Sequence, residues 1–236
     1  MSASESEQFW EPLYAQRSAP AAPPRPNAVL VDLIDEFGPP TGHALDLGCG
    51  HGGDALWLAA RGWQVTAVDV AATAVERVAA LARAGGLADR VRATRHDLSR
   101  SLPTETFDLI YACYFHTPVD IDRDGVLRRA AELMRVGALL IVVDHASIAP
   151  WSWSQEEHHF PTPAETYAAI GLDQDWAMVL TTARNREATG PDGTTTATVT
   201  DNIIVAQRLR EQPFSARAER ENSERLGTDD RHGLGL

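Results

Sequence analysis

Leu45-Asp46-Leu47-Gly48-Cys49-Gly50-His51-Gly52-Gly53 is an apolar run that breaks abruptly into glycines. Glycine carries no Cβ, so the chain here can turn sharply and leave its backbone open to a ligand. His43–Leu47 before the break reads as a short buried strand, and residues 54–61 after it read as a helix that Gly62 ends. The unit is strand, tight loop, helix, with a binding surface expected on the loop.

Working outward, residues 64–70 form a second apolar run with Asp69 at its end. Thr73 and Glu76 have capping-box spacing, and Val75, Val78, Ala79 and Ala82 then share one helical face before Gly85 and Gly86. Residues 91–94, 107–112 and 138–143 read as further strands, the last apolar throughout and therefore expected to be covered on both faces. A helical stripe of Val126, Leu127, Ala130, Leu133 and Met134 lies between the last two. Thr162-Pro163-Ala164-Glu165 combines an N-cap, a first-turn proline and a capping box, and Gly171 closes that helix. Residues 176–182 and 196–209 are rich in Thr, Val and Ile around Gly190-Pro191-Asp192-Gly193, as in an antiparallel hairpin. Upstream, Leu30, Leu33, Ile34 and Phe37 form one more amphipathic stripe, stopped by Gly38. The fold class expected is α/β: a doubly wound, Rossmann-like, mostly parallel seven-stranded sheet with a C-terminal antiparallel hairpin at its edge.

One domain over residues 26–210 is expected, preceded by a flexible segment 1–25 and followed by a polar, disordered tail 211–236. The Ala- and Pro-rich stretch 18–26 reads as the linker. A net charge of −12, with arginine as the basic residue throughout, opposes the attraction that polyanions need, so nucleic acid is not the expected substrate. Cys49 and Cys113 alone cannot make a disulfide framework or a four-cysteine zinc site, and no run is long enough to span a bilayer. A cytoplasmic monomer or homodimer acting on a small molecule is expected.

The ligand of the loop can be weighed by charge. Gly48, Gly50 and Gly53 satisfy G-x-G-x-x-G, and Asp69 is placed to accept ribose hydroxyls, a combination shared by NAD-binding domains. Asp46 separates the readings, because a carboxylate just before the first glycine repels a pyrophosphate and suits the cationic sulfonium and ammonium of S-adenosylmethionine. A NAD-dependent oxidoreductase, or a protein that binds S-adenosylmethionine without catalysis, remains the alternative.

The run from Ala44 to Asp69, together with Phe107-Asp108-Leu109-Ile110 and Leu139 to His145, resembles the class I methyltransferases, most nearly the tellurite-resistance and thiopurine S-methyltransferase branch. The resemblance implies that Gly48 and Gly50 line the methionine portion of the donor, Asp69 holds the ribose and Val70 packs on adenine. It implies also that Asp97 accepts the exocyclic amine, that the Leu98 amide meets the ring, and that Asp46 anchors the loop and the ammonium. Cys49 belongs to this loop as a small buried residue. Phe9, Trp10 and Tyr14 match an aromatic segment that covers the donor in such relatives, although Pro12 and Leu13 depart from the charged pair usual between them.

Methyl transfer from a sulfonium is an in-line displacement that needs alignment and exclusion of water rather than a metal or a covalent residue. A hydroxyl or amine acceptor also needs somewhere for its proton to go; an ionised thiol or chalcogenide does not. Ligands of doubly wound sheets sit beyond the carboxyl ends of the strands. That brings forward Tyr111, Tyr114 and His116 after the fourth strand, and Asp144 with His145 after the fifth. His116 is the expected base, His145 the second candidate, and Tyr111 and Tyr114 expected substrate contacts. Trp151 and Trp153, in the aromatic stretch 151–160, are expected to wall the acceptor pocket as part of a lid. Glu157, His158 and His159 are read as surface residues, with no metal expected.

Overall fold

Strands whose residues are apolar in both alternating sets must be covered on both faces, and helices distributed along the chain supply that cover. In the computed structural model, which describes residues 4–17, 24–152, 155 and 159–209, this produces thirteen elements. They are α1 (Glu5–Gln16), α2 (Ala28–Phe37), β1 (His43–Leu47), α3 (Gly53–Ala60), β2 (Gln64–Asp69), α4 (Ala72–Ala84) and β3 (Val91–Arg95), then β4 (Phe107–Cys113), α5 (Arg123–Ala131), β5 (Met134–His145), α6 (Pro163–Ile170), β6 (Trp176–Thr189) and β7 (Thr196–Arg208).

The strands form one seven-stranded sheet in the order β3-β2-β1-β4-β5-β7-β6. β1 to β5 are parallel; β7 runs antiparallel between β5 and β6. Two apolar layers follow from the period of two. Ala44, Leu109, Ile141 and Val205 pack with α2, α3 and α4 on one face, while Leu45, Ile110, Leu140 and Ile204 pack with α5 and α6 on the other. The doubly wound sheet and its antiparallel hairpin are as the alternation of strand and helix signals implies.

Several boundaries differ from the sequence reading. The capping box expected of Thr73 and Glu76 does not form: α4 begins two residues earlier, after Ala71, with no side-chain cap. Thr73 turns instead to Glu11 of α1, whose carboxylate takes its hydroxyl and its N–H. The stripe that seemed to carry a helix through Met134 ends at Ala131, because Met134 pairs with Phe107 as the first residue of β5. The expected α6 capping box is present, with Thr162 Oγ1 accepting the Glu165 N–H (3.2 Å) and Glu165 Oε2 accepting the Thr162 N–H (2.8 Å). Thr162→Ala is therefore expected to cost about 1 kcal/mol of stability, read as a lower urea midpoint at unchanged slope; an unchanged midpoint means the cap carries no net stability.

The expectation of a flexible segment over residues 1–25 needs correction where the structure describes it. Residues 5–16 form α1, started by a Ser4 side-chain cap and accommodating Pro12. No α1 residue is buried, so polar latches dock it on the core. Glu11 holds Thr73, Glu7 pairs with Arg95, and Trp10 Nε1 donates to Thr117 Oγ1 at 3.1 Å. The expected linker 18–23 and tail 211–236 lie outside the described residues.

Candidate active site

The loop after β1 is built by backbone. Gly48 and Cys49 both donate their N–H to the Val68 carbonyl, at 3.0 and 2.9 Å, which pins the turn to the end of β2. Gly48 sits at φ +76°, and a Cβ there would fall 2.9 Å from the Phe115 ring; at Gly50, φ +52°, a Cβ would meet the Tyr14 hydroxyl at 3.0 Å. Side chains are excluded at both positions by conformation and by space.

Asp69 braces this loop. Its Oδ2 accepts the Gly50 N–H (3.0 Å) and its Oδ1 the Ala71 N–H (2.9 Å), so one carboxylate ties the turn to the start of α4. Burial lifts its pKa, and those backbone hydrogen bonds pull the other way. Asp46 lies deeper, almost wholly buried, with its Oδ2 lacking a hydrogen-bond partner. Burial pushes its pKa well above the usual carboxylate range, and the charges of Asp54 and Asp69 push the same way, while the approaching Tyr111 hydroxyl opposes them. Asp54 accepts the Asn27 N–H at 2.5 Å, and burial raises its pKa too. Among the described residues no arginine or histidine pairs with any of these three carboxylates. Uncompensated acid behind a glycine loop is a poor place for a pyrophosphate and a good one for a cation.

Beyond the carboxyl ends of β1 to β4 lies a cavity of about 100 Å³, walled by Gly48, Asp69, Val70, Asp97, Leu98 and, from α1, Trp10 and Tyr14. Asp97 Oδ1 accepts both the Ser99 N–H (3.1 Å) and its hydroxyl (2.6 Å). Two residues read as donor contacts lie back from this wall: Cys49 is buried within the turn and Asp46 stands behind it, so neither lines the cavity.

A second, more open cavity of about 750 Å³ adjoins the first at Trp10, Tyr114, His116 and Thr117. His116 therefore stands where the two meet. Its Nε2 lies 3.5 Å from Asp144 Oδ1 and receives the His145 N–H at 3.4 Å. Arg123 reaches the same carboxylate at 2.6 Å and the Phe115 carbonyl at 2.8 Å. Burial lowers the pKa of His116, helped by Arg123 and His145 and opposed by Asp144, which favours the neutral imidazole. His145 stacks on Tyr114, with ring centroids 4.0 Å apart.

The other substrate candidates separate. Tyr114 and Trp151 line the second cavity. Tyr111 does not: it pairs across from Asp46 in β4, is fully buried, and faces the α2–α3 layer, because strand alternation turns it away from the open end. Trp153, Glu157 and His158 lie outside the described residues. Among the described residues no cluster of His, Cys, Asp and Glu is arranged to hold a metal, and no helix is long and apolar enough to cross a membrane.

Sequence reasoning passed over Arg123, Arg186 and Asp201. Asp201 was detectable as a lone carboxylate inside the apolar run of β7. Arg186 was not, since the strand expected over 176–182 continues to Thr189.

Residues 44–137 match the family model described as a methyltransferase domain. That match covers 94 of the 236 residues, and solved neighbours that share the fold carry titles naming S-adenosylmethionine. The chain is 26% identical over 148 residues to thiocyanate methyltransferase 1 of Arabidopsis thaliana, covering 60% of this chain and 65% of that one, just under two thirds of the relative's length. Among solved structures it superposes with TM-score 0.68 on the one titled "Conversion of a Disulfide Bond into a Thioacetal Group during Echinomycin Biosynthesis", at 19% identity over 92% of this chain and 99% of that. TehB of Haemophilus influenzae superposes with TM-score 0.60 at 17% identity, covering 86% and 67%. These two likenesses show a shared fold.

The residues present fit the cofactor on their own chemistry: a buried carboxylate at Asp46 with one oxygen lacking a hydrogen-bond partner, two glycines at positive φ where a Cβ would be crowded, and Asp69 and Asp97 on the cavity wall. S-adenosylhomocysteine at 100 times its Kd is expected to add about 2.7 kcal/mol of stability, a shift of several degrees in Tm, with no matching shift from NAD. Equal shifts would sink the charge argument.

Proposed function

We propose that this protein transfers a methyl group from S-adenosylmethionine to a small-molecule acceptor held in the second cavity. The observation that carries the reading is the position of His116, at the junction of two cavities and within 3.5 Å of Asp144. When bound, the cofactor supplies an electrophilic methyl group on a positively charged sulfur.

Asp69, Asp97, Val70 and the Gly48–Gly50 backbone are assigned to holding the donor, with Trp10 and Tyr14 closing it from the α1 side. Confining the reaction between these walls supplies orientation and excludes water. The acceptor's lone pair forms the new bond to the methyl carbon while the carbon–sulfur bond breaks with its electrons on sulfur. For a hydroxyl or amine, the released proton goes to a His116 ring nitrogen. Asp144 steadies the imidazolium that results. The relative named for thiocyanate supports a small acceptor.

The test is methyl transfer from labelled S-adenosylmethionine to a panel of alcohols, phenols, amines and thiols, followed as S-adenosylhomocysteine release. Release that depends on an added acceptor supports the assignment; donor binding with no acceptor-dependent release across the panel defeats it.

A further inference from the structure

The second cavity differs from the first in its charges. No Asp or Glu lines it among the described residues, and the arginine that does, Arg186, is already engaged. Arg186 Nε donates to Asp201 Oδ2 at 2.5 Å, Arg186 Nη2 donates to the Tyr114 hydroxyl at 2.9 Å, and that hydroxyl donates to Asp201 Oδ2 at 3.0 Å. The three groups close a ring. Asp201 has no solvent exposure, and its compensation comes from this ring and from His145, whose Nδ1 lies 3.9 Å from Asp201 Oδ1.

An anionic acceptor would need a cation that the protein can release to it. Drawing Arg186 away would strand a fully buried carboxylate, and breaking such a pair from one side is among the costliest changes a protein can undergo. The ring also does structural work. Tyr114 is the one described non-glycine residue with positive φ, at +55°, a conformation that persists only where surroundings enforce it. Its ring stacks on His145 at 4.0 Å with the planes 10° apart, so Arg186 and Asp201 set the position of both aromatic faces. Trp10, Trp151, Phe160, Ile148 and Val199 supply apolar and aromatic wall, interspersed with uncharged hydroxyls such as Thr117, Ser147 and Thr189 and with His159.

We infer that the second cavity selects an uncharged acceptor of aromatic-ring size, with Arg186 and Asp201 acting as positioning residues for the Tyr114–His145 stack rather than as an anion anchor. This rests on the methyl-transfer reading. An uncharged acceptor brings its proton to the reaction, which agrees with a neutral imidazole at the junction of the cavities.

The experiment uses the full chain saturated with S-adenosylhomocysteine and measures binding of matched probes by calorimetry: 2-naphthol against 2-naphthoate, 4-phenylphenol against 4-phenylbenzoate, and sodium thiocyanate. The phenols are expected to bind at least about tenfold more tightly than their carboxylate partners, with affinities that barely change between roughly 0.05 and 0.5 M salt, since screening acts on charges. Arg186→Lys, which keeps the charge but loses the fork, is expected to weaken 2-naphthol at least about fivefold while leaving S-adenosylhomocysteine affinity unchanged. A carboxylate or thiocyanate that binds as tightly as the phenols overturns the inference, as does failure of every probe. Failure of S-adenosylhomocysteine itself to bind would fall on the donor assignment, not on the acceptor class.

Discussion

His116→Ala is expected to lower turnover on a hydroxyl or amine acceptor by about 10²–10⁴, with S-adenosylhomocysteine affinity nearly intact, because a positioned base contributes on that order. The pH profile supplies the second half of this expectation. Burial, Arg123 and His145 lower the pKa of His116 below its ordinary 6.5 against the pull of Asp144. The imidazole is therefore ready to accept a proton across the neutral range, and turnover of the parent protein falls only as the pH drops below that ordinary value. In His116→Ala the limb disappears, and the loss narrows at high pH, where the acceptor ionises unaided. With a thiol acceptor already ionised near neutrality the substitution costs little beyond pocket shape. A full-rate variant on an alcohol removes His116 from the mechanism and leaves Asp144 and His145 to be tested.

Asp69→Ala is expected to weaken S-adenosylhomocysteine binding by about 3 kcal/mol, roughly a hundredfold, since hydrogen bonds to a charged group are the stronger kind and two partners of the donor are lost at once. The same change frees the Gly50 and Ala71 N–H groups that Asp69 now holds, so the loop loses its brace along with its ligand contact. Asp69→Asn separates these roles. Its amide oxygen can still accept one backbone N–H, so the variant is expected to recover stability in urea unfolding while donor affinity stays low. Recovery of both, or of neither, assigns the residue to bracing alone.

The first motif was legible because its signals are local. Glycines at 48, 50 and 52 sit at positive φ, and the apolar run before them fixes β1, so strand and turn follow from neighbours in sequence. Asp46 carried the choice of ligand from sequence alone, by the sign of its charge. What failed depends on partners far along the chain. Thr73 carried the pattern of a capping box, yet its hydroxyl bonds to Glu11, 62 residues away. Tyr111 stood at the correct end of β4, but which face a strand residue points to is set by the sheet, and it points inward. The ring of Tyr114, Arg186 and Asp201 spans 87 positions between Tyr114 and Asp201, and beyond the lone carboxylate in β7 it had no local signal.

The insertion of β7 between β5 and β6 has a consequence for synthesis. β5 stays an open edge until the residues that pair with it, Asp201 to Gln207, have left the ribosome, although β1 to β5 are complete some sixty residues earlier in the chain. An unpaired, wholly apolar strand such as Leu139–Val143 is a template for wrong partners in that interval. The donor half of the site can thus assemble on the nascent chain, while the acceptor half waits for the hairpin. A transcript cut short before β7 would yield a protein that binds its cofactor poorly or not at all for want of solubility, and growth at lower temperature, which slows aggregation more than pairing, is the condition under which the full-length product should accumulate.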